Sequence, residues 1–253
     1  MRISGIIMAL IGVLAGVVGF LLRHQEVATV FDPVSGLAER GATITITLAL
    51  FSLAVVALLF GLSFIDSKRT LSSFQEAFGG GIFGTLLLAC LGLCVFALAG
   101  LEFMLLSERD GLDPFALARL GAALLAGPAL MLTAILGWRG GNVAIPAALP
   151  VFWLCIWLIA NHMDQASNPV LLSYVYQLFA IASLLLALYY VAGYAFRQEK
   201  PRRLLFFSST ALFFTGVTMG DPTSFYHRGT LLALAATVLI YQLTLTKNLA
   251  RSA

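Results

Sequence analysis

Charge is what this chain has least of: Lys, Arg, Asp and Glu together make up 11% of its 253 residues, against about 25% in an ordinary soluble domain. So little charge excludes a water-facing globule of this length, whose surface would be left with large apolar patches. Histidine and cysteine are equally sparse, at three each. Cys90, Cys94 and Cys155 all fall inside apolar runs, so no disulfide framework is implied, and two thiols four positions apart give only a weak metal signal without a third ligand.

Motifs of nucleotide and hydrolytic chemistry are missing too. The run Gly79-Gly80-Gly81 lacks the Gly-Lys-Ser/Thr ending of a phosphate loop and reads as a hinge. No HExxH spacing occurs. Gly61-Leu62-Ser63 sits at the opposite end of its helix from every histidine, and Gly220-Asp221 is not preceded by the glycine of a Gly-x-Gly-Asp pattern, which argues against intramembrane proteolysis. A formal net charge of +3, scattered over short loops, makes no nucleic-acid footprint. No cofactor is expected.

What the chain does contain is apolar sequence, 60% of residues, with a mean hydropathy of +0.96. Eight runs approach the roughly 20 residues that a helix needs to cross a bilayer core of about 30 Å: 3–22, 43–64, 82–106, 117–138, 142–161, 171–196, 204–220 and 229–245. The last two are the shortest, and losing one would leave seven spans and place the C-terminus outside. Backbone polar groups in lipid must pair within the segment, so each run reads as a helix. The first ends in Leu22-Arg23-His24 without a small-x-small site, which marks it as an uncleaved anchor. The expected fold is an all-α integral membrane protein: one polytopic domain over 1–253, about eight transmembrane helices in four hairpins, its solvent the lipid bilayer.

Orientation follows from the excess of Lys and Arg on the cytoplasmic side. With an even number of spans, ten of the fifteen basic residues fall on the side of the termini, concentrated at Arg197, Lys200, Arg202 and Arg203. The expectation is a multi-pass protein of the bacterial cytoplasmic membrane with both termini cytoplasmic.

Each outer loop carries an Asx-Pro pair, at Asp32, Asp113, Asn168 and Asp221. Asx is a favoured N-cap and proline suits the first helical position, so all four read as caps of inward-running helices. Three continue to Arg40-Gly41, Arg119-Leu-Gly121 and Arg228-Gly229, a weak internal similarity. The first of these loops, Phe31-Asp32-Pro33-Val34-Ser35-Gly36-Leu37, resembles one in uncharacterised multi-pass bacterial membrane proteins with Phe-Asp-Pro-x-Ser/Thr-Gly-Leu after their first helix. That resemblance implies the membrane fold and no activity. On the inner side, Leu71, Phe74 and Phe78 fall at helical spacing and predict a short interfacial helix.

Candidate chemistry is confined to a few residues. His24, His162 and His227 share the outer side with Glu26, Asp164 and Asp221, a set that could hold a divalent metal or relay protons; lone interface residues are the alternative. Glu102, a turn inside its helix, marks a pathway or seeks a partner such as Arg109, Arg119 or a histidine. Pro128 and Pro150, inside the fourth and fifth runs, free backbone carbonyls where broken helices of transporters bind solute, or serve only as packing kinks. Gly12-x-x-x-Gly16 permits close helix packing within the bundle or in a homo-oligomer. Together these features suggest a permease-like protein for a small solute, not energised by nucleotide. The alternatives are a non-enzymatic sensor or accessory subunit that binds a ligand or membrane-protein partner at its outer loops, and a metal-dependent membrane enzyme.

Overall fold

The computed structural model describes residues 2–32, 37–39, 41–65, 71–79, 81–107, 114–165 and 170–251. Nine α-helices are found among them: α1 (Arg2–Val30), α2 (Thr43–Ser63), α3 (Phe74–Phe78), α4 (Ile82–Ser107), α5 (Pro114–Arg139), α6 (Ala144–Asp164), α7 (Val175–Ala195), α8 (Pro201–Thr218) and α9 (Phe225–Arg251). One turn of 3-10 helix, Leu171–Ser173, precedes α7. A single isolated bridge, Phe31 to Ala38, is the only β pairing among the described residues.

Seven helices, all but α3 and α8, are long and apolar enough to cross a membrane. Their outward faces present Leu10, Leu14, Leu53, Phe83, Leu125 and Phe152 as exposed side chains. In water such faces would be unstable, whereas lipid tails solvate them at no cost. The chain is an all-α membrane bundle.

The eighth expected span needs a different account. α8 opens with Arg202 and Arg203 and carries Ser208, Ser209, Thr210, Thr215 and Thr218, which lowers its hydropathy. It can afford them because protein, not lipid, surrounds it: α1, α2, α7 and α9 all pack on it, and all five hydroxyl residues are buried. Thr210 donates to the Phe206 carbonyl at 2.9 Å and Thr218 to the Thr215 carbonyl at 2.8 Å, the local pairing available to hydroxyls in helices. α9, at 27 residues, is far longer than the expected run 229–245. α1 is also longer, continuing to Val30 through what reads in sequence as loop.

α8 runs parallel to α1. A Cβ on Gly12 would lie 2.6 Å from the Ser209 carbonyl oxygen, one on Gly216 2.6 Å from the Gly16 Cα, and one on Gly19 2.5 Å from a Val217 methyl. The small-residue stripe is thus consumed inside the chain. A second crossing of this kind joins α4 to α5, where a Cβ on Gly92 would meet the Gly127 carbonyl oxygen at 2.8 Å. Gln242 of α9, fully buried, bonds the Gly5 carbonyl at 3.1 Å and Ser209 Oγ at 2.8 Å, tying α1, α8 and α9 together.

At the same end of α9, α3 forms from a variant of the capping box: Ser73 accepts from the Glu76 N–H, and Glu76 accepts from Ser72 N–H and Oγ, both at 3.0 Å. Instead of lying on the interface, it buries Phe74, Ala77 and Phe78, with Phe78 edge-on to Tyr194 and Tyr241. α5 ends in a left-handed residue, Gly140 (φ 73°), with the Gly141 N–H returning to the Leu136 carbonyl at 2.8 Å.

Candidate functional site

Because α1 continues helically past Leu22, Arg23 and Glu26 project from one face at i, i+3 spacing. That face turns into the protein, where both side chains are completely buried. Arg23 Nη1 donates to Glu26 Oε2 at 2.7 Å, and Nε donates to Asp221 Oδ1 at 2.6 Å. Nη2 donates to the carbonyls of Leu172 and Ser173 at 2.9 and 3.2 Å. The rings of Tyr176 and Phe31 flank the guanidinium, 5.2 and 5.6 Å from Cζ.

One guanidinium thus touches two buried carboxylates. Glu26 Oε1 and Asp221 Oδ2 make no hydrogen bond among the described residues. Burial pushes the Asp221 carboxyl up to about 6, with Arg23 pulling it back only in part. Arg228, on the first turn of α9, holds the Asp221 carbonyl at 2.5 Å and Thr223 Oγ1 at 3.3 Å.

A second polar group lies on the other side of that turn. Arg119 of α5 grips Glu102 of α4 in a two-point pair, Nη2 to Oε1 at 2.7 Å and Nη1 to Oε2 at 3.3 Å. Its Cζ is 6.0 Å from the Trp157 ring, and Trp157 meets His227 edge-on at 4.8 Å. His227 Nε2 is hydrogen-bonded to Gln177 Nε2 of α7. Since His227 and Arg228 are consecutive, the start of α9 joins both groups into one polar layer across α1, α4, α5, α6, α7 and α9, buried at Arg23, Glu26 and Asp221 and half-buried at Glu102, Arg119, His227 and Arg228.

Of the three histidines only His227 enters this layer. His24 is exposed and stacks on Phe20 at 6.0 Å, and His162 and Asp164 are exposed at the end of α6. Among the described residues no three His, Cys, Asp or Glu side chains converge as metal ligands, so His24, His162, His227, Asp164 and Asp221 do not form a shared metal set.

Two of the expected caps are corrected. Asp221 spends its carboxylate on Arg23, and Ser224 instead accepts from the His227 N–H at 3.4 Å at the start of α9. Asp32 lies in the turn after α1, its N–H bonded to the Leu37 carbonyl at 3.0 Å, while α2 begins only at Thr43 after Ala42. Asp113, Asn168 and the 33–36 part of the Phe-Asp-Pro loop lie outside the described residues. α5 and α6 continue through Pro128 and Pro150 without a break. Two cavities lie elsewhere: a groove of about 630 Å³ between α2, α7 and α8, and a pocket of about 700 Å³ beside the start of α8, neither lined by Glu102, Pro128 or Pro150.

Arg23, Gln177 and Gln242 carry much of the buried polarity yet are not singled out by sequence, and Glu26 is singled out only as company for the histidines, not as the partner of Arg23. The available signal was the i, i+3 spacing of Arg23 and Glu26 directly behind an unbroken apolar run. Comparison with protein-family models, with curated proteins and with solved structures finds no match. Function therefore has to be argued from this geometry.

Proposed function

We propose that the chain is a permease-like, non-enzymatic membrane protein that moves a small solute across the bacterial cytoplasmic membrane, driven by an ion gradient or an energising partner subunit. The observation that carries this reading is the polar layer linking the buried Arg23, Glu26 and Asp221 through α9 to the half-buried pair Arg119 and Glu102. Ionisable groups inside a membrane bundle are costly and mark ion or substrate pathways by default. More acid than base touches Arg23, which suits a site that takes up and releases a proton or small cation.

Eight spans in four hairpins, one domain over 1–253 and cytoplasmic termini belong to the same reading. In its support, α8 runs alongside α1 for most of its length, each pair α1–α2, α4–α5, α6–α7 and α8–α9 packs together, and the basic loop 197–203 lies at the end of the bundle opposite Arg23. Pro128 and Pro150 would act as hinges between closed and open arrangements rather than as lining of the closed one.

Reconstitution tests this. Proteoliposomes with an entrapped pH dye, placed under an imposed proton or sodium gradient and offered panels of small solutes, should show solute-dependent ion flux that Arg23→Gln abolishes. If no solute elicits flux, the permease reading fails. An accessory or sensor subunit is then favoured, and one observation already supports that second reading: neither the groove of about 630 Å³ nor the pocket of about 700 Å³ is lined by Glu102, Pro128 or Pro150.

A further inference from the structure

The apolar groove between α2, α7 and α8 is walled by Val56, Phe179, Leu186 and Phe214, among others, with Thr45, Ser52, Tyr176, Ser183 and Thr210 as its hydroxyl-bearing side chains. Ser52, Ser183 and Thr210 are spent on their own helices, to the carbonyls of Leu48, Ala180 and Phe206 at 2.8, 3.0 and 2.9 Å, and Thr45 Oγ1 makes no hydrogen bond among the described residues. These walls offer little to a polar solute. Leu53 and Phe179 are exposed at the rim, so the groove opens sideways where lipid tails would be.

One end of the groove leads to charge. Phe206 and Phe207 line both the groove and the pocket of about 700 Å³ at the start of α8, which is also lined by Lys200, Arg202, Arg203 and Tyr190. Three cations face a single acid there, Glu199, and no carboxylate among the described residues forms an ion pair with any of the three. Arg202 lies over the Phe64 ring, 3.1 Å from Cζ to centroid, and Arg203 reaches the Tyr190 hydroxyl only at 3.4 Å. Most of their donors are left for another acceptor. Arg203 is also the exposed residue of α8, so the basic group is accessible.

Groove and pocket also match in length. From Tyr190 to Val175 along α7 the two together extend about 22 Å at 1.5 Å per residue, more than the roughly 15 Å of one leaflet of a 30 Å core. A chain anchored by its headgroup in the pocket fits wholly inside the groove.

We propose that this composite is a binding site for an anionic glycerophospholipid, its phosphate held by Lys200, Arg202 and Arg203 and an acyl chain laid along the groove. Charge complementarity selects the occupant: basic pockets at the headgroup level between transmembrane helices take anionic lipid headgroups, and a free anion would leave the apolar groove without a role. The far end of the groove shares Leu172 and Tyr176 with the Arg23 layer, but the headgroup pocket lies at the other end, and lipid binding there does not depend on transport.

The test uses the full-length protein in a neutral detergent. Thermal unfolding is followed with added phosphatidylglycerol, phosphatidylcholine, or glycerol 3-phosphate. Phosphatidylglycerol should raise the midpoint, and the other two should not. The double variant Arg202→Gln, Arg203→Gln should bind phosphatidylglycerol roughly 30-fold more weakly, the loss of two surface basic groups, and Ala182→Phe, which fills the groove, should weaken it with the pocket intact. Equal stabilisation by phosphatidylcholine would overturn the charge recognition, and equal stabilisation by glycerol 3-phosphate would make it a free-anion site instead. Should the double variant fail to fold, native mass spectrometry of the unaltered protein decides: retention of phosphatidylglycerol over phosphatidylcholine supports the site, and equal retention sinks it.

Discussion

Arg23 Nε sits 2.6 Å from Asp221 Oδ1 across 198 positions of sequence, both side chains out of contact with solvent. That contact fastens the end of α1 to the turn between α8 and α9, and Glu26 completes it from within α1. Removing one charge from such a group leaves the others buried without compensation, which costs about 3–5 kcal/mol.

Arg23→Met should therefore destabilise the bundle by roughly that amount, while the triple variant Arg23→Met, Glu26→Gln, Asp221→Asn should recover much of the loss because no naked carboxylate remains. Unfolding of both in detergent by a denaturant series measures the difference. Equal loss in the two would mean that guanidinium packing against Tyr176 and Phe31, not charge, matters at this position.

The same residues make stability depend on pH. Asp221 is pushed up to about 6 from 3.8 by burial, with Glu26 adding to the shift and Arg23 and Arg228 opposing it. Because the folded carboxyl holds its proton to higher pH than the unfolded one, its contribution is fully present below 3.8 and is lost as pH rises through about 6. A shift of about two units corresponds to about 3 kcal/mol at most. Relative to Asp221→Asn, the unaltered protein should thus lose stability between about pH 4 and pH 6 and run level above. A difference curve that rises with pH instead would show that the Arg23 pair, not burial, sets the ionisation of Asp221.

Much of the architecture is legible in the amino-acid order, since a bilayer imposes segment length and apolar content on every lipid-facing helix. α2, α4, α5, α6 and α7 lie within a few residues of their apolar runs for that reason. The ends are less legible. Arg23 and Glu26 look like loop residues to any hydropathy criterion, yet helical spacing carries them inward to a partner 198 positions away, and nothing local to α1 announces Asp221. α8 coincides with one of the two shortest expected runs, 204–220, yet its hydroxyls and two arginines keep it below the hydropathy of the other seven long helices, and protein packs around it. The Asx-Pro pairs mislead at Asp32, which lies in a turn ten residues before the N-cap of α2 at Ala42, and at Asp221, where the ion pair with Arg23 takes the carboxylate.

Glycines separate close contact from mere propensity. At Gly216 a Cβ would strike the Gly16 Cα at 2.6 Å, whereas at Gly100, inside α4, it would meet nothing within 4 Å. Gly216→Ala should force α1 and α8 apart and cost about 1–3 kcal/mol; Gly100→Ala should be neutral or stabilising by about 0.5–1 kcal/mol through helix propensity alone. Thermal midpoints of the two variants should move in opposite directions. A matching fall in both would mean that Gly100 supports a contact outside this chain.

Backbone strain gives the last prediction. Arg197, two residues past the end of α7, has φ 55°, and the Gln198 N–H closes the helix onto the Gly193 carbonyl at 2.8 Å. This is the position where helices place glycine, since a Cβ in the left-handed region costs roughly 1–2 kcal/mol. Arg197 is exposed there, and α5 solves the same problem with Gly140. Arg197→Gly should then raise stability by about 1 kcal/mol, less than the full strain because glycine also gains freedom in the unfolded chain, whereas Gly140→Arg should lower it by a similar amount. The pair is informative because both residues hold the same left-handed cap while lining one pocket beside Gln75: a gain at 197 with a loss at 140 supports the backbone account, and a loss at both would mean that the Arg197 side chain contributes more through its charge or its contacts there than its backbone costs.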